Sequence, residues 1–245
     1  MTAIRITVTK TAGSVPREAG TQMLVWADRI EGTIGGGTLE WEAMAEARRM
    51  LRDGRKTHQA RIPLGPAMGQ CCGGSVSLLW EEAEVMQVPP AQPLWIYGAG
   101  HVGRALVNVM GALPDFDITW VDTDADRFPE TNVTTLVAIN PARVVRHAPT
   151  NADHLILTYS HEMDLALCHA VLGHDFHSVG LIGSATKWAR FKTRLAALGH
   201  SPAQISRIAC PIGDPSLGKH PTAIALGVAT AMISGGKRAT KDRTA

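Results

Sequence analysis

Apolar positions in the first ninety residues come in short runs. Residues 4–9 alternate apolar and polar, and 23–26 and 75–80 are brief apolar stretches, so each predicts a strand. Between them, 39–51 places Leu39, Ala43, Ala47 and Met50 on one helical face. Glu40, Glu42, Glu46, Arg48 and Arg49 take polar positions, and Gly54 stands where the helix would stop. From residue 94 the rhythm changes. Apolar strands are predicted at 94–97, 117–121 (closing on Asp122), 134–138, 154–158 and 178–182, with helices at 104–111, 163–172 and 187–198. Short apolar strands alternating with helices predict a parallel sheet covered on both faces. Pro89-Pro90-Ala91-Gln92-Pro93 interrupts both rhythms. Three prolines there are expected to exclude a ladder or a helix, which predicts a linker between domains at 1–88 and 94–245. The fold class expected is α/β: a C-terminal Rossmann-like, mostly parallel sheet preceded by a smaller mixed, mainly β N-terminal domain.

Directly after the 94–97 strand comes Gly98-Ala99-Gly100-His101-Val102-Gly103, opening a helix. In that setting Gly98 permits a tight turn, Gly100 leaves room for a phosphate beside backbone amides, and Gly103 lets helix and strand pack closely. Asp122, ending the second strand, is placed to hydrogen-bond a ribose diol, with Asp124 a less well placed alternative; His101 either touches the same ligand or is a helix N-terminal residue with no role. A turn kept purely as architecture would look the same.

The first domain carries two unusual stretches. Thr33-Ile34-Gly35-Gly36-Gly37-Thr38-Leu39-Glu40 sets three glycines before the helix. Such bare backbone either wraps an anion with its amides or makes a turn needing positive φ. Gly69-Gln70-Cys71-Cys72-Gly73-Gly74 sets two thiols among glycines. Neighbouring side chains in extended backbone point to opposite faces, so Cys71 and Cys72 are not equivalent. One is expected to contact a soft metal or accept sulfur; small buried hydrophobes are the other reading. Arg17, in the turn Ser14-Val15-Pro16-Arg17-Glu18-Ala19-Gly20, either holds an anionic ligand through its fork of donors or pairs with Glu18 or Glu40.

Composition narrows the classes. With 24 Lys plus Arg against 22 Asp plus Glu, the formal charge of +2 and the lack of a concentrated basic run argue against a nucleic-acid surface. No apolar run reaches the length of a membrane span, and no signal-peptide pattern opens the chain, so a cytoplasmic location is expected. Four cysteines, at 71, 72, 168 and 210, form neither a disulfide framework nor a zinc-ligand pattern.

Taken together these stretches resemble the XdhC/CoxI family, accessory proteins of xanthine dehydrogenase and related molybdenum hydroxylases. The resemblance rests on Gly13-Ser14-Val15-Pro16-Arg17-Glu18-Ala19-Gly20, on 32–40, on 69–74 and on Tyr97 with the 98–103 turn. It continues through Gly180-Leu181-Ile182-Gly183-Ser184, through Lys187, Arg190 and Arg194, and through Cys210-Pro211-Ile212-Gly213. Two segments depart from the family pattern, Thr158-Tyr159-Ser160-His161 and the run from Asp214 to Pro221. The resemblance implies a non-catalytic chaperone. It would bind molybdenum cofactor (molybdopterin), protect it while a cysteine desulfurase adds sulfur, and deliver it to apo-xanthine dehydrogenase in company with molybdenum cofactor biosynthesis proteins. The implied cofactor contacts are Arg17, Gly35, Gly36, Gly37, Gln70, Cys71, Cys72, Gly98, Gly100, His101, Gly103 and Asp122, with Cys71 and Cys72 nearest the metal. A nucleotide at the 98–103 turn is a second candidate ligand, and a homodimer is expected. The competing functions are an NAD(P)-dependent oxidoreductase, which leaves 33–40 and 69–74 unexplained, and a scaffold without bound cofactor.

Overall fold

The computed structural model describes residues 2–65, 73–86 and 90–241, with side chains to 235. The chain divides into two compact units, Met1–Pro89 and Pro90–Ala245. In the first, five strands form one antiparallel sheet: β1 (Ala3–Ala12), β2 (Gln22–Val25), β3 (Ile30–Gly32), β4 (Thr57–Pro63) and β5 (Ser75–Ala83), in the order β3-β2-β1-β5-β4. Helix α1 (Gly37–Asp53) lays Leu39, Ala43, Ala47 and Met50 against Ile4, Ile6, Val8, Leu78 and Trp80. The indole of Trp80 donates to the Ala43 carbonyl at 3.0 Å. Gly54 ends the helix in the left-handed conformation, as its position predicts. Strands β3 and β4 are additions to the predicted set. Both lie at sheet edges, and β4 reads Thr-His-Gln-Ala-Arg-Ile-Pro with alternate residues exposed, so neither offers an apolar run.

In the second unit six strands form one sheet: β6 (Gln92–Tyr97), β7 (Phe116–Asp122), β8 (Thr134–Val137), β9 (Asp153–Ile156), β10 (Ser178–Leu181) and β11 (Ile208–Ala209). The order β8-β7-β6-β9-β10-β11 is that of a doubly wound dinucleotide-type fold, and every pairing is parallel. Strand β6 starts two residues earlier than predicted and takes Pro93 into the ladder. At Pro93 only β7 is paired; β9 joins from Leu94, so the missing N–H interrupts no central ladder.

Residues of β6 alternate between two cores. Trp95 and Tyr97 join the core of α4 (His161–Leu172) and α5 (Ala185–Ala197). Leu94 and Ile96 join that of α2 (His101–Met110) and α7 (Pro221–Lys241). Two four-residue helices, α3 (Pro141–Val144) and α6 (Pro202–Ile205), complete the unit. Because α2 follows β6 on one face and α4 follows β9 on the other, their connections part at the carboxyl edge. A crevice opens at such a point.

Candidate functional site

In the second unit the crevice is framed by the 98–103 turn and by the chain after β9. Gly98 sits at φ +115°, and a Cβ there would lie 2.5 Å from the Leu157 carbonyl oxygen. A Cβ at Gly103 would overlap the Gly98 carbonyl. Gly98 and Gly103 therefore have the turn and close-packing roles expected of them. Gly100 caps α2 in extended conformation, and a Cβ there would meet nothing within 4 Å. No side chain caps the helix, so its first amides have no side-chain acceptor, as anion binding at a helix start requires. His101 is the exposed first residue of α2.

Asp122 reaches across from β7 and is buried, at 3% exposure. Its Oδ2 accepts from the Ala99 amide at 2.5 Å and its Oδ1 from the Thr123 amide at 2.6 Å and hydroxyl at 3.2 Å. The Arg127 guanidinium is ion-paired with Oδ1 at 2.7 Å. The carboxylate thus clamps the glycine turn to the end of the second strand. A ribose diol would have to share it with Arg127, whose guanidinium also lies 4.8 Å from the ring of exposed Tyr159. Arg127 is an addition to the expected site residues; an arginine five positions past the strand end carries no pattern of its own.

In the first unit the glycine stretch has positive φ at Gly35, Gly36 and Gly37. An anion does sit in it: the chain's own Glu40. Its Oε2 accepts from the Thr33 hydroxyl at 2.5 Å and the amides of Ile34 and Gly36 at 2.9 and 3.1 Å. Burial pushes the Glu40 carboxyl up, but the Thr33 hydroxyl and the amides of Gly36, Ile34 and Gly35 together outweigh it, and the group titrates below its ordinary value.

A depressed carboxylate stabilises the fold above its ordinary pKa, and that contribution is lost as pH falls through the folded value. The urea midpoint is therefore expected to fall on acidification below the ordinary glutamate pKa, and to fall less steeply in Glu40→Gln. Parallel pH profiles for the two proteins would show that the carboxylate is not held in this way.

The same end of the sheet gathers the other first-unit segments. A Cβ at Gly35 would lie 2.6 Å from Pro16 Cγ and 3.5 Å from Arg17 Cγ. Ser14 bridges to Gly73, and a Cβ at Gly74 would overlap the Ser14 carbonyl. Segments 13–20, 32–40 and 73–74 therefore meet. Arg17 is exposed there and forms no ion pair with Glu40 among the described residues. Gln70, Cys71 and Cys72 lie outside the described residues. The chain on either side of them is closed by the Leu64 amide donating to the Gly74 carbonyl at 2.7 Å.

Burial disfavours the thiolate form of the other two cysteines. Cys168 is fully buried, and burial pushes its thiol far up; burial likewise raises half-buried Cys210. Among the described residues no three or more His, Cys, Asp or Glu side chains converge as a metal would require, and no helix is long and apolar enough to cross a membrane.

A sheet in this strand order with an uncapped glycine turn at its switch point defines a Rossmann-type α/β protein, here joined to a small antiparallel unit with its own glycine-rich end. Family comparison is more specific. Residues 94–232 match the XdhC Rossmann domain and residues 2–62 the XdhC and CoxI family, and the chain belongs to that family. It is 31% identical over 226 residues to the uncharacterized protein YqeB of Escherichia coli (strain K12); the match takes in 88% of this chain but only 40% of that relative's length. A crystal structure of a xanthine dehydrogenase from Bacillus halodurans has the same fold, at TM-score 0.76 and 18% identity over 95% of this chain and 91% of that one.

Proposed function

We infer that this chain binds molybdenum cofactor, shields it while a cysteine desulfurase supplies its terminal sulfur, and delivers it to apo-xanthine dehydrogenase. Molybdenum cofactor biosynthesis proteins are the upstream partners. The observation that carries the reading is the meeting of 13–20, 32–40 and 73–74 at one end of the first sheet. Arg17, exposed and with no ion pair among the described residues, belongs to the first of those segments, and 73–74 directly follow Gln70, Cys71 and Cys72 in the sequence.

The cofactor brings a phosphate, a pterin and a sulfur-bound molybdenum, and this chain has a donor type for two of the three. Open, uncapped amides at Gly100 suit a phosphate, and a thiol of the Cys71–Cys72 pair suits the sulfur-rich metal end. Within 33–40, Glu40 already takes the amides of Ile34 and Gly36, so the contribution of Gly35 is the close fit to Pro16 and Arg17, and that of Gly36 and Gly37 the positive-φ backbone of the turn. Asp122 and His101 border the phosphate end, where a nucleotide is the alternative ligand. A homodimer belongs to the same reading, and light scattering at the mass of one 26.2 kDa chain would remove it.

The test is the pterin and molybdenum content of the protein purified from a host that makes the cofactor. Gly100→Asp adds bulk and negative charge in the open space before α2, and is expected to cut bound cofactor at least tenfold with the fold intact. Parent-like cofactor content in that variant moves the phosphate away from the turn. A parent that carries no cofactor but oxidises NADH with a substrate would favour the oxidoreductase reading.

A further inference from the structure

At the carboxyl edge of the second sheet, beyond β9 and β10, a cavity of about 270 Å³ opens beside the amino ends of α4 and α5. Its floor is the buried ring of Phe191, with His161 edge-on to it at 6.4 Å. Arg190 and Arg194 line it from α5, and Ser184 and Lys187 from the start of that helix. Lys187 is already neutralised, since its Nζ lies 2.6 Å from Asp164 Oδ2 and 2.8 Å from the Ile182 carbonyl oxygen. The two guanidiniums are not: neither has an ion-pair or hydrogen-bond partner among the described residues. Like charges four residues apart on one helix face disfavour the helix, so the juxtaposition of these two guanidiniums does not itself stabilise α5. Two guanidinium forks on one cavity wall match the oxygens of a phosphate. The Ser184 hydroxyl accepts from the Lys187 amide and keeps its own proton to donate.

We propose that this cavity is a binding site for a phosphate or a small phosphate monoester, separate from the glycine turn. A dinucleotide is too large for it. The apolar Phe191 floor gives the carbon stem of a monoester a surface to lie on, which free phosphate would not use.

Calorimetric titration of the full chain with inorganic phosphate, and separately with glycerol 3-phosphate, tests this at ionic strength held constant with sodium chloride, so that general screening does not mimic binding. Arg190→Gln/Arg194→Gln, both at exposed positions, is expected to bind either ligand at least tenfold more weakly, with an unchanged circular dichroism spectrum. Lys192→Gln, which removes an exposed cation of the same helix that does not line the cavity, is expected to bind them as the parent does. Tighter binding of the monoester would identify an esterified phosphate as the occupant, and tighter binding of inorganic phosphate the free ion. Parent-like affinity in the arginine variant, or no binding by the parent at millimolar ligand, overturns the site. Because cofactor content is not measured, failure here leaves the carrier reading standing, and failure of that reading leaves this one.

Discussion

Lys187→Met is expected to destabilise the second unit by about 3–5 kcal/mol, the cost of breaking a buried ion pair by removing one partner. Asp164 has no exposed surface, and Lys187 supplies its countercharge at 2.6 Å. The Thr158 amide and hydroxyl donate to the other carboxylate oxygen at 3.0 and 2.7 Å. Methionine keeps the length of the stem but leaves the carboxylate with two neutral donors and no positive charge. Urea unfolding of the full chain reads the effect as an earlier transition for the second unit. Asp164→Leu combined with Lys187→Met should recover part of the loss, since no buried charge then remains. Recovery stays incomplete because the Thr158 amide loses its acceptor, whereas the hydroxyl can still donate to the Ser160 carbonyl at 3.0 Å. A loss below about 1 kcal/mol for the single variant is what a solvated surface pair contributes, and would show that water reaches Asp164.

The second large effect concerns the adjacent thiols. Of Cys71→Ser and Cys72→Ser, at least one is expected to lose at least about tenfold in cofactor bound per chain, equivalent to about 1.4 kcal/mol of binding free energy. Serine roughly preserves size and removes the soft sulfur donor. The two variants should differ, because neighbouring side chains in extended backbone point to opposite faces. Activation of apo-xanthine dehydrogenase by each variant, scored beside cofactor content, separates loss of binding from loss of delivery. If both single variants and the double variant carry and deliver cofactor like the parent, the thiols are packing groups. The glycine turn and Arg17 would then have to hold the ligand unaided.

What could be read in the chain and what could not divide along the range of the interactions involved. Strands β6, β7, β9 and β10 bury both faces and show as apolar runs, so their parallel arrangement followed from alternation with helices. Strands β3 and β4 lie at edges, β3 wholly exposed and β4 with alternate residues exposed, and β11 has only two residues; none leaves a readable period. The turn at 98–103 was legible because adjacent residues create its geometry. The partners of its carboxylate were not, since Arg127 meets Asp122 through a loop. Glu40 carried a usable signal, an acid in the first turn of a helix after three glycines. The Asp164–Lys187 pair, 23 residues apart and joining two helices, carried none. Arg190 and Arg194 were visible as a motif, but only the fold puts them on a cavity wall.

The closure of β4 on β5 at Leu64 and Gly74 has an evolutionary consequence. Because the hairpin is already fastened there, the chain between these residues can change length at little thermodynamic cost: the closure entropy grows only logarithmically, about 0.6 kcal/mol for each doubling. Selection can therefore lengthen, shorten or rewrite the cysteine-bearing stretch without renegotiating the sheet beneath it. Relatives that handle different ligands would be expected to diverge there first, in both composition and length, while the hairpin register stays the same.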